Sequence, residues 1–545
     1  MVTQLIACMM HILPGWKPDG SGHSRAQSHP EDKSMWGNIE SDIYTLATAK
    51  IKSFEAYAKW VSDENGRRQK RTIGKPSPIS AIRPEYWAHA PGHDPYHVRA
   101  RQSTIAHSLT AKLRAGSYRP HSPSGYFVPK LGGGERLVSC FEIADEVVSR
   151  RLFTSLMSKN RARLSARAYA YRNDLTPHDA LEYIASEFSR KQRIFVAEYD
   201  FRKFFDTIDQ GNLLRLFDDL KLRVTSAERS IVEAFLSAPQ PIVNPLPSLV
   251  HPGPRTRGIP QGTSVSLFLA NVVVTPLDRR LESLGVGFVR YADDTLIWSH
   301  DYSSICRAVD ELHAISKEIG AEINLSKSPG IHILTAENQA EMNSVTSVDY
   351  LGHTIRLTKL SMKSATERKI LQRVDSLIYS NLLREPLNGT QNLARVSTEI
   401  DFDYVTFIWQ LRRYLYGNLS ESKLRKLESS TVPLMNFHGV MSYFPLVDDD
   451  EQLSNLDLAI ISRTALALKK RSALLSPRLG YSAPPIWSLP KSELRYHVHK
   501  SPSSSNIDLR FPTLSIMSKV IRKAINTHGL GVVSGKVIGY NYKSN

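Results

Sequence analysis

Three aspartates stand where carboxylates could do chemistry together. Asp200 ends a β-prone run, Ile194 to Tyr199, and opens the stretch Asp200-Phe201-Arg202-Lys203-Phe204-Phe205-Asp206. Asp293 and Asp294 form a tight turn between two strand-like runs, Val286 to Tyr291 and Thr295 to Trp298. Taken alone, an aspartate pair at a hairpin tip suits an ordinary solvated turn. Taken with Asp200, it gives two strands that bring carboxylates to one sheet edge, where they can share a pair of divalent ions. Magnesium fits such a set, because it prefers oxygen ligands and keeps positions for phosphate and water. One ion would lower the pKa of an attacking hydroxyl, and the other would neutralise charge on a departing pyrophosphate. The protein is then left to position and stabilise.

Such a site needs a sheet and helices behind it. Asn212 to Leu220 reads as helical, and Ser264 to Leu284 as a long helix closed by Gly285, with Pro276 expected to kink or interrupt it. Ile305, Val309, Leu312, Ile315 and Ile319 recur at helical spacing up to Gly320. Glu322 to Leu325 and Ser347 to Ile355 are further strand candidates. This order of strand, helix, helix, hairpin, helix and strand predicts an α+β class, with helices on one face of an antiparallel sheet.

Upstream, residues 38–62 read as a helix, followed by a basic run (Arg67, Arg68, Lys70, Arg71, Lys75) that reads as a solvated face. Gly125 to Val128 and Arg136 to Ser139 are strand-like, and Gly132, Gly133 and Gly134 between them predict a hairpin turn. A phosphate-cradling loop fits less well there, because no helix follows directly. Beyond residue 360, Ile370, Leu371, Val374, Leu377, Ile378 and Leu382 mark an amphipathic helix expected to stop at Pro386. Further helices are predicted at about 391–416, 421–430, 454–475 and 513–527, with Ser501 to Asn506 a surface loop.

Lysine and arginine outnumber acidic residues 70 to 53 in the 545 residues, a formal charge of +17. That excess suits a polyanionic partner, although a soluble basic protein without one has the same composition. Cys8, Cys140 and Cys306 are too scattered for a disulfide framework or a zinc pair, which points to a reducing cytoplasm. No apolar run is long enough to span a bilayer. Met1 to Leu13 is apolar without a basic lead, Gly15 to Lys33 is polar, and Met35 is an alternative start of translation.

The motifs carry a family resemblance. Tyr291-Ala292-Asp293-Asp294 matches the Tyr-x-Asp-Asp pattern of reverse transcriptases, with an alanine common among bacterial members. Around it the series is in the family's order. Lys130 and Arg136 bracket a glycine turn, as in the fingers of retron and group II intron enzymes. Ala170-Tyr171-Arg172 with His178-Asp179-Ala180, then Asp200 with Phe204-Phe205-Asp206, resemble the next blocks. Gly258-Ile259-Pro260-Gln261-Gly262 with Ser266 and Leu269-Ala270-Asn271 resembles the second palm motif; Asn324, Lys327 and Leu351-Gly352 fit those that follow. Where the family usually has Ser-Pro, this chain has Ser266-Leu267.

The resemblance implies a right-hand polymerase fold: an N-terminal extension over 1–75, fingers and palm over 76–360, a helical thumb-like region over 361–430 and a helical C-terminal domain over 431–545. It implies an RNA-directed DNA polymerase with two Mg2+ ions, Mn2+ being a possible substitute, on Asp200, Asp293, Asp294 and the Phe201 carbonyl. Lys130 and Arg136 would hold the incoming triphosphate. Phe205 would exclude a ribose 2′-hydroxyl, Gln261 and Gly262 would contact template and nucleotide, and Lys327 would meet the pyrophosphate. Partners would be an RNA template, its DNA copy and deoxynucleoside triphosphates. No Cys/His metal pattern follows residue 306, and almost two hundred residues follow Gly352. That architecture, with Arg412-Arg413-Tyr414-Leu415-Tyr416-Gly417, resembles bacterial defence-associated and abortive-infection enzymes, and implies a cytoplasmic antiphage role with a noncoding RNA, as a homo-oligomer or with a partner defence protein. The alternatives are an intron maturase and a noncatalytic RNA-binding palm. A tyrosine such as Tyr540 or Tyr542 as a protein primer is a weaker reading, since surface tyrosines are ordinary.

Overall fold

A computed structural model of the chain describes residues 36–129, 135–172, 174–189, 191–241, 253–337, 343–500 and 506–534. The chain divides into two units. One takes Met1–Tyr57, Ile82–Ala180 and Lys191–Thr346; the other takes Ala58–Ala81, Leu181–Arg190 and Ser347–Asn545.

The first unit is built on a five-stranded sheet. Its central strand, β3 (Arg193–Asp200), alternates in the way a strand between two environments must. Phe195, Ala197 and Tyr199 turn to the main hydrophobic core, so Val196, Glu198 and Asp200 turn to the opposite face. The hairpin β4 (Gly287–Tyr291) and β5 (Asp294–Ser299) pairs beside it, β5 antiparallel to β3 with Asp200 opposite Asp294. On the other side lie β6 (Gly330–Thr335) and a short parallel β7 (Ser344–Val345), giving the order β4-β5-β3-β6-β7.

Helices cover the core face, as an α+β fold requires. Helix α4 (Ser264–Ser283) and helix α5 (Tyr302–Ile319) pack on each other, and α5 lies against β3 and β5. Behind α4 stand α1 (Ile143–Asn160) and α3 (Gln210–Asp219). A short turn of helix, α2 (Phe204–Thr207), follows β3 directly. The strands β1 (Ser124–Pro129) and β2 (Glu135–Cys140) form the antiparallel hairpin read from the sequence. Its glycine turn and Lys130 lie outside the described residues.

The second unit opens with a three-stranded antiparallel sheet, β8 (Val348–Tyr350), β9 (His353–Ile355) and β10 (Leu360–Met362). Apart from a short antiparallel pair, Val498–His499 with Ile507–Asp508, the rest of its regular structure is helical, including α6 (Ser364–Ile378), α7 (Arg384–Leu387), α8 (Phe402–Tyr416), α9 (Glu421–Ser429), α10 (Asp450–Leu475) and α11 (Leu514–His528). Its core has a buried ionic centre. Arg471 bonds Asp401 at 2.7 Å and Asp403 at 3.0 Å, and Trp487 donates to Asp401 at 2.8 Å. The Arg412–Gly417 block is part of this framework, since Arg412 donates to the backbone and carboxylate of Asp508 at 2.8 and 3.0 Å.

Several expectations are corrected. Pro276 does not interrupt α4, because nearly every face of that helix is buried and tertiary packing outweighs the roughly 3 kcal/mol a helical proline costs. By contrast the helical run of α6, continued by a π-helical stretch over Tyr379–Leu383 and by α7, ends at Leu387, within one residue of the stop expected at Pro386. Residues 391–416 are not one helix, since a short 3-10 turn (Leu393–Arg395) precedes α8. Glu322 to Leu325 make no strand; only Ile323 bridges to Phe201, and the strand lies later, at β6. The basic run is not wholly solvated: Arg71 is buried, bonded to Glu64 at 2.9 Å and Asn381 at 3.0 Å. Ser501 to Ser505, Cys8, Tyr540 and Tyr542 lie outside the described residues.

Candidate active site

The three aspartates meet because β3 and the β4–β5 hairpin end at the same edge. The cross-strand pair Asp200–Asp294 fixes two carboxylates on neighbouring strands, and Asp293 stands in the turn between Tyr291 and Asp294. That turn is strained. Ala292 has φ +62, a left-handed conformation that costs a residue with a Cβ roughly 1–2 kcal/mol.

A buried network holds the turn. Arg290, inside β4, is 1% exposed; it grips both oxygens of Asp278 at 2.7 and 2.6 Å. Its Nη1 donates to Asn271 Oδ1 and to the Ala292 carbonyl, both at 3.1 Å. Asp278 and Asn271 both come from α4, so that helix braces the turn through one guanidinium. A charged residue in an otherwise apolar strand must have a partner, and Phe288-Val289-Arg290 is the signal that could have exposed this network in the sequence.

Asp200 is held from the other side. The segment after α5 crosses the end of β3: the Asn324 amide donates to the Asp200 carbonyl at 2.8 Å, and the Arg202 amide to Glu322 at 2.7 Å. Neither bond engages the carbonyl of Phe201, whose ring is buried. Lys327 Nζ bonds Asp200 Oδ2 at 2.8 Å, Asn324 Nδ2 reaches the same oxygen at 3.3 Å, and the Asp200 amide donates to Ser328 Oγ at 3.3 Å. The other carboxylate oxygen, Oδ1, is buried with no partner among the described residues.

Electrostatics follow from that crowding. Burial, and then repulsion from Asp200, push Asp293 up to about 7, with Arg136 pulling the other way. Burial, and then the charges of Asp293 and Asp200, hold Asp294 well above the usual carboxylate range. Crowded carboxyl groups with an unpaired buried oxygen are what divalent cations relieve. The donor set is all oxygen, as magnesium requires. By contrast His121, Glu142 and Asp145, which also cluster, are already engaged, Asp145 accepting from Tyr118 and from the His121 amide.

The glycine-bearing turn sits against these elements. Gly258, at φ +77, has the carbonyls of Asp206 and Phe205 where a Cβ would stand, at 2.7 and 2.8 Å. Gln261 Nε2 bonds Asp206 at 3.2 Å, and its carbonyl accepts from the Ser139 amide of β2 at 2.7 Å. At Gly262, φ +122, a Cβ would lie 2.3 Å from the Ser139 carbonyl. The absence of a side chain there lets β2, and Arg136 on it, approach the aspartates. Phe204 and Phe205 lie in the helical turn α2; Phe204 is core and Phe205 half-buried. The structure therefore brings Asp200, Asp293, Asp294, Lys327 and Arg136 together, with Gln261 and Gly262 beside β2 and the Phe205 carbonyl accepting from the Ile259 amide of the same turn.

Residues 128–355 match the family model described as reverse transcriptase (RNA-dependent DNA polymerase). A search of curated proteins finds no match. Among solved structures, telomerase from Candida albicans with a fragment of telomeric RNA is 12% identical, with a TM-score of 0.35 over 69% of this chain and 65% of that one. Telomerase from Candida tropicalis, also with telomeric RNA, is 14% identical, with a TM-score of 0.36 over 70% and 66%. The match thus spans just under two thirds of each of those chains.

Proposed function

We propose that this chain, whose residues 128–355 form a reverse-transcriptase domain, is an RNA-directed DNA polymerase that adds deoxynucleotides to a primer on an RNA template. The observation that carries this reading is the Asp200–Asp294 pair beside Asp293 at one sheet edge, inside the matched residues. Asp200, Asp293 and Asp294, with the Phe201 carbonyl, would hold two Mg2+ ions, or Mn2+ in their place. Bound there, the ions supply activation of the primer 3′-hydroxyl and neutralisation of the pyrophosphate. Arg136 and Lys130 hold the triphosphate, and the Phe205 ring bars a ribose 2′-hydroxyl. Gln261 and Gly262 seat the templated pair. Lys327, bonded to Asp200, turns its ammonium to the departing pyrophosphate.

The finer reading is a bacterial, cytoplasmic antiphage enzyme that copies a noncoding RNA. In it, residues 76–360 are fingers and palm, 361–430 a thumb-like region and 431–545 a C-terminal domain. What supports it is the long, mostly helical unit after residue 347, with the Arg412–Gly417 block in its frame. The test has two arms. Purified chain with RNA template, DNA primer, deoxynucleotides and Mg2+ should extend the primer to the template's complement; extension without template, or none, contradicts the polymerase. Sequencing the copurifying nucleic acid should return DNA copies of one short RNA; intron RNA would instead favour a maturase.

A further inference from the structure

Tyr171 is built in a way its protein neighbours do not explain. The preceding segment bridges to Arg290 of β4: the Arg290 amide donates to Arg167 at 3.0 Å, and the Tyr169 amide to the Arg290 carbonyl at 2.9 Å. Asn271 Nδ2 takes the Ala170 carbonyl at 2.9 Å, and Arg172 Nη1 reaches back to Ser165 at 2.7 Å. Between these anchors Tyr171 has φ +63, which a bulky side chain rarely adopts. Its ring packs at the margin of the core, while its hydroxyl is buried with no hydrogen-bond partner among the described residues. Buried tyrosine hydroxyls normally find a partner. Backbone strain and an unpaired polar atom together, next to the aspartate turn, mark a place that a ligand completes.

The charged surroundings say which ligand. The carboxylate of Asp293 lies close enough to act on the phenol, which like any tyrosine hydroxyl is a proton donor. Arg136 and Arg290 act on it in the opposite sense. Arg290 is committed to Asp278 and Asn271, which leaves Arg136 as the cation available to share an anion with the hydroxyl. A donor beside an arginine and a carboxylate that bonds neither of them suits an oxygen lying among all three. Phosphate oxygens meet that description, because they accept from the arginine and the phenol together.

We propose that Tyr171 is a nucleotide-binding residue whose hydroxyl donates to the triphosphate of the incoming deoxynucleotide, on oxygens that Arg136 also holds. This rests on the polymerase reading and extends it to a residue for which the sequence suggested no role. The variant Tyr171→Phe removes the hydroxyl and keeps the ring. Its equilibrium Kd for a deoxynucleoside triphosphate, measured with Ca2+, and its KM with Mg2+ should each rise about tenfold. Its kcat should stay within about twofold, and its melting temperature should not fall. Unchanged nucleotide affinity overturns the proposal. So does a lower kcat with weaker Mn2+ binding and unchanged nucleotide Kd, because the hydroxyl would then serve Asp293. A wild-type chain that binds no deoxynucleotide brings down the polymerase reading as well. A wild-type chain that binds and incorporates, matched by Tyr171→Phe, brings down this inference alone.

Discussion

Asp293 couples the site to pH. In an unfolded chain an aspartate titrates near 3.8, whereas the folded chain holds this proton up to about 7. Between those values the unfolded state releases a proton that the folded state keeps, so Asp293 should make metal-free stability fall as pH rises from about 4 to about 7. Melting curves in EDTA across that range should show the decline, and Asp293→Asn should lessen it. Asp294 adds to the same slope, so one substitution will not remove it, but an unaltered slope would contradict the assignment. Phe205 makes a separate prediction. Phe205→Ala should lower discrimination against ribonucleotides roughly tenfold or more, measured as the ratio of kcat/KM values for a deoxynucleotide and its ribonucleotide; an unchanged ratio removes its role as gate.

At the scale of elements, the aspartate turn depends on α4. Arg290→Met would leave Asp278 buried without its partner, which costs about 3–5 kcal/mol when a buried pair is broken. Adding Asp278→Leu should restore much of that stability by removing the orphaned charge. Incorporation should remain low in the double variant, because the Ala292 carbonyl still lacks the guanidinium that holds it. Recovery of activity along with stability would show that Arg290 serves the fold alone. Much of this layer was legible in the sequence. The β4–β5 hairpin, α3, α4, α5 and the β1–β2 strands were all readable from alternation, spacing and turn glycines. Pro276 misled because burial around α4 outweighs propensity. The segment 322–325 misled because its bonds go to the end of β3 rather than to a ladder. A charge in the apolar run Phe288-Val289-Arg290 announces that Arg290 needs partners, but which they are was hidden, because they lie 12 and 19 positions away on another element.

Across the whole molecule, a net charge of +17 should make RNA binding strongly salt-dependent. Affinity for a structured RNA should fall at least about tenfold between 50 and 200 mM salt, as expected when several phosphates are neutralised. The aspartate variants should follow the same salt line as wild type, since charge away from the aspartate edge dominates it. That Asp200 and the Asp293–Asp294 turn end strands at one sheet edge was legible in the sequence once the two were taken together. Their pairing across strands, the orphaned Asp200 oxygen and the Tyr171 hydroxyl needed the fold. In the proposed function these aspartates form the polymerising centre. The most direct measurement is Mg2+-dependent incorporation of deoxynucleotides on a primed RNA template by Asp293→Ala, Asp294→Ala double-variant protein, beside wild type. The predicted result is abolished incorporation with RNA affinity and melting behaviour preserved; incorporation at the wild-type rate would contradict the claim.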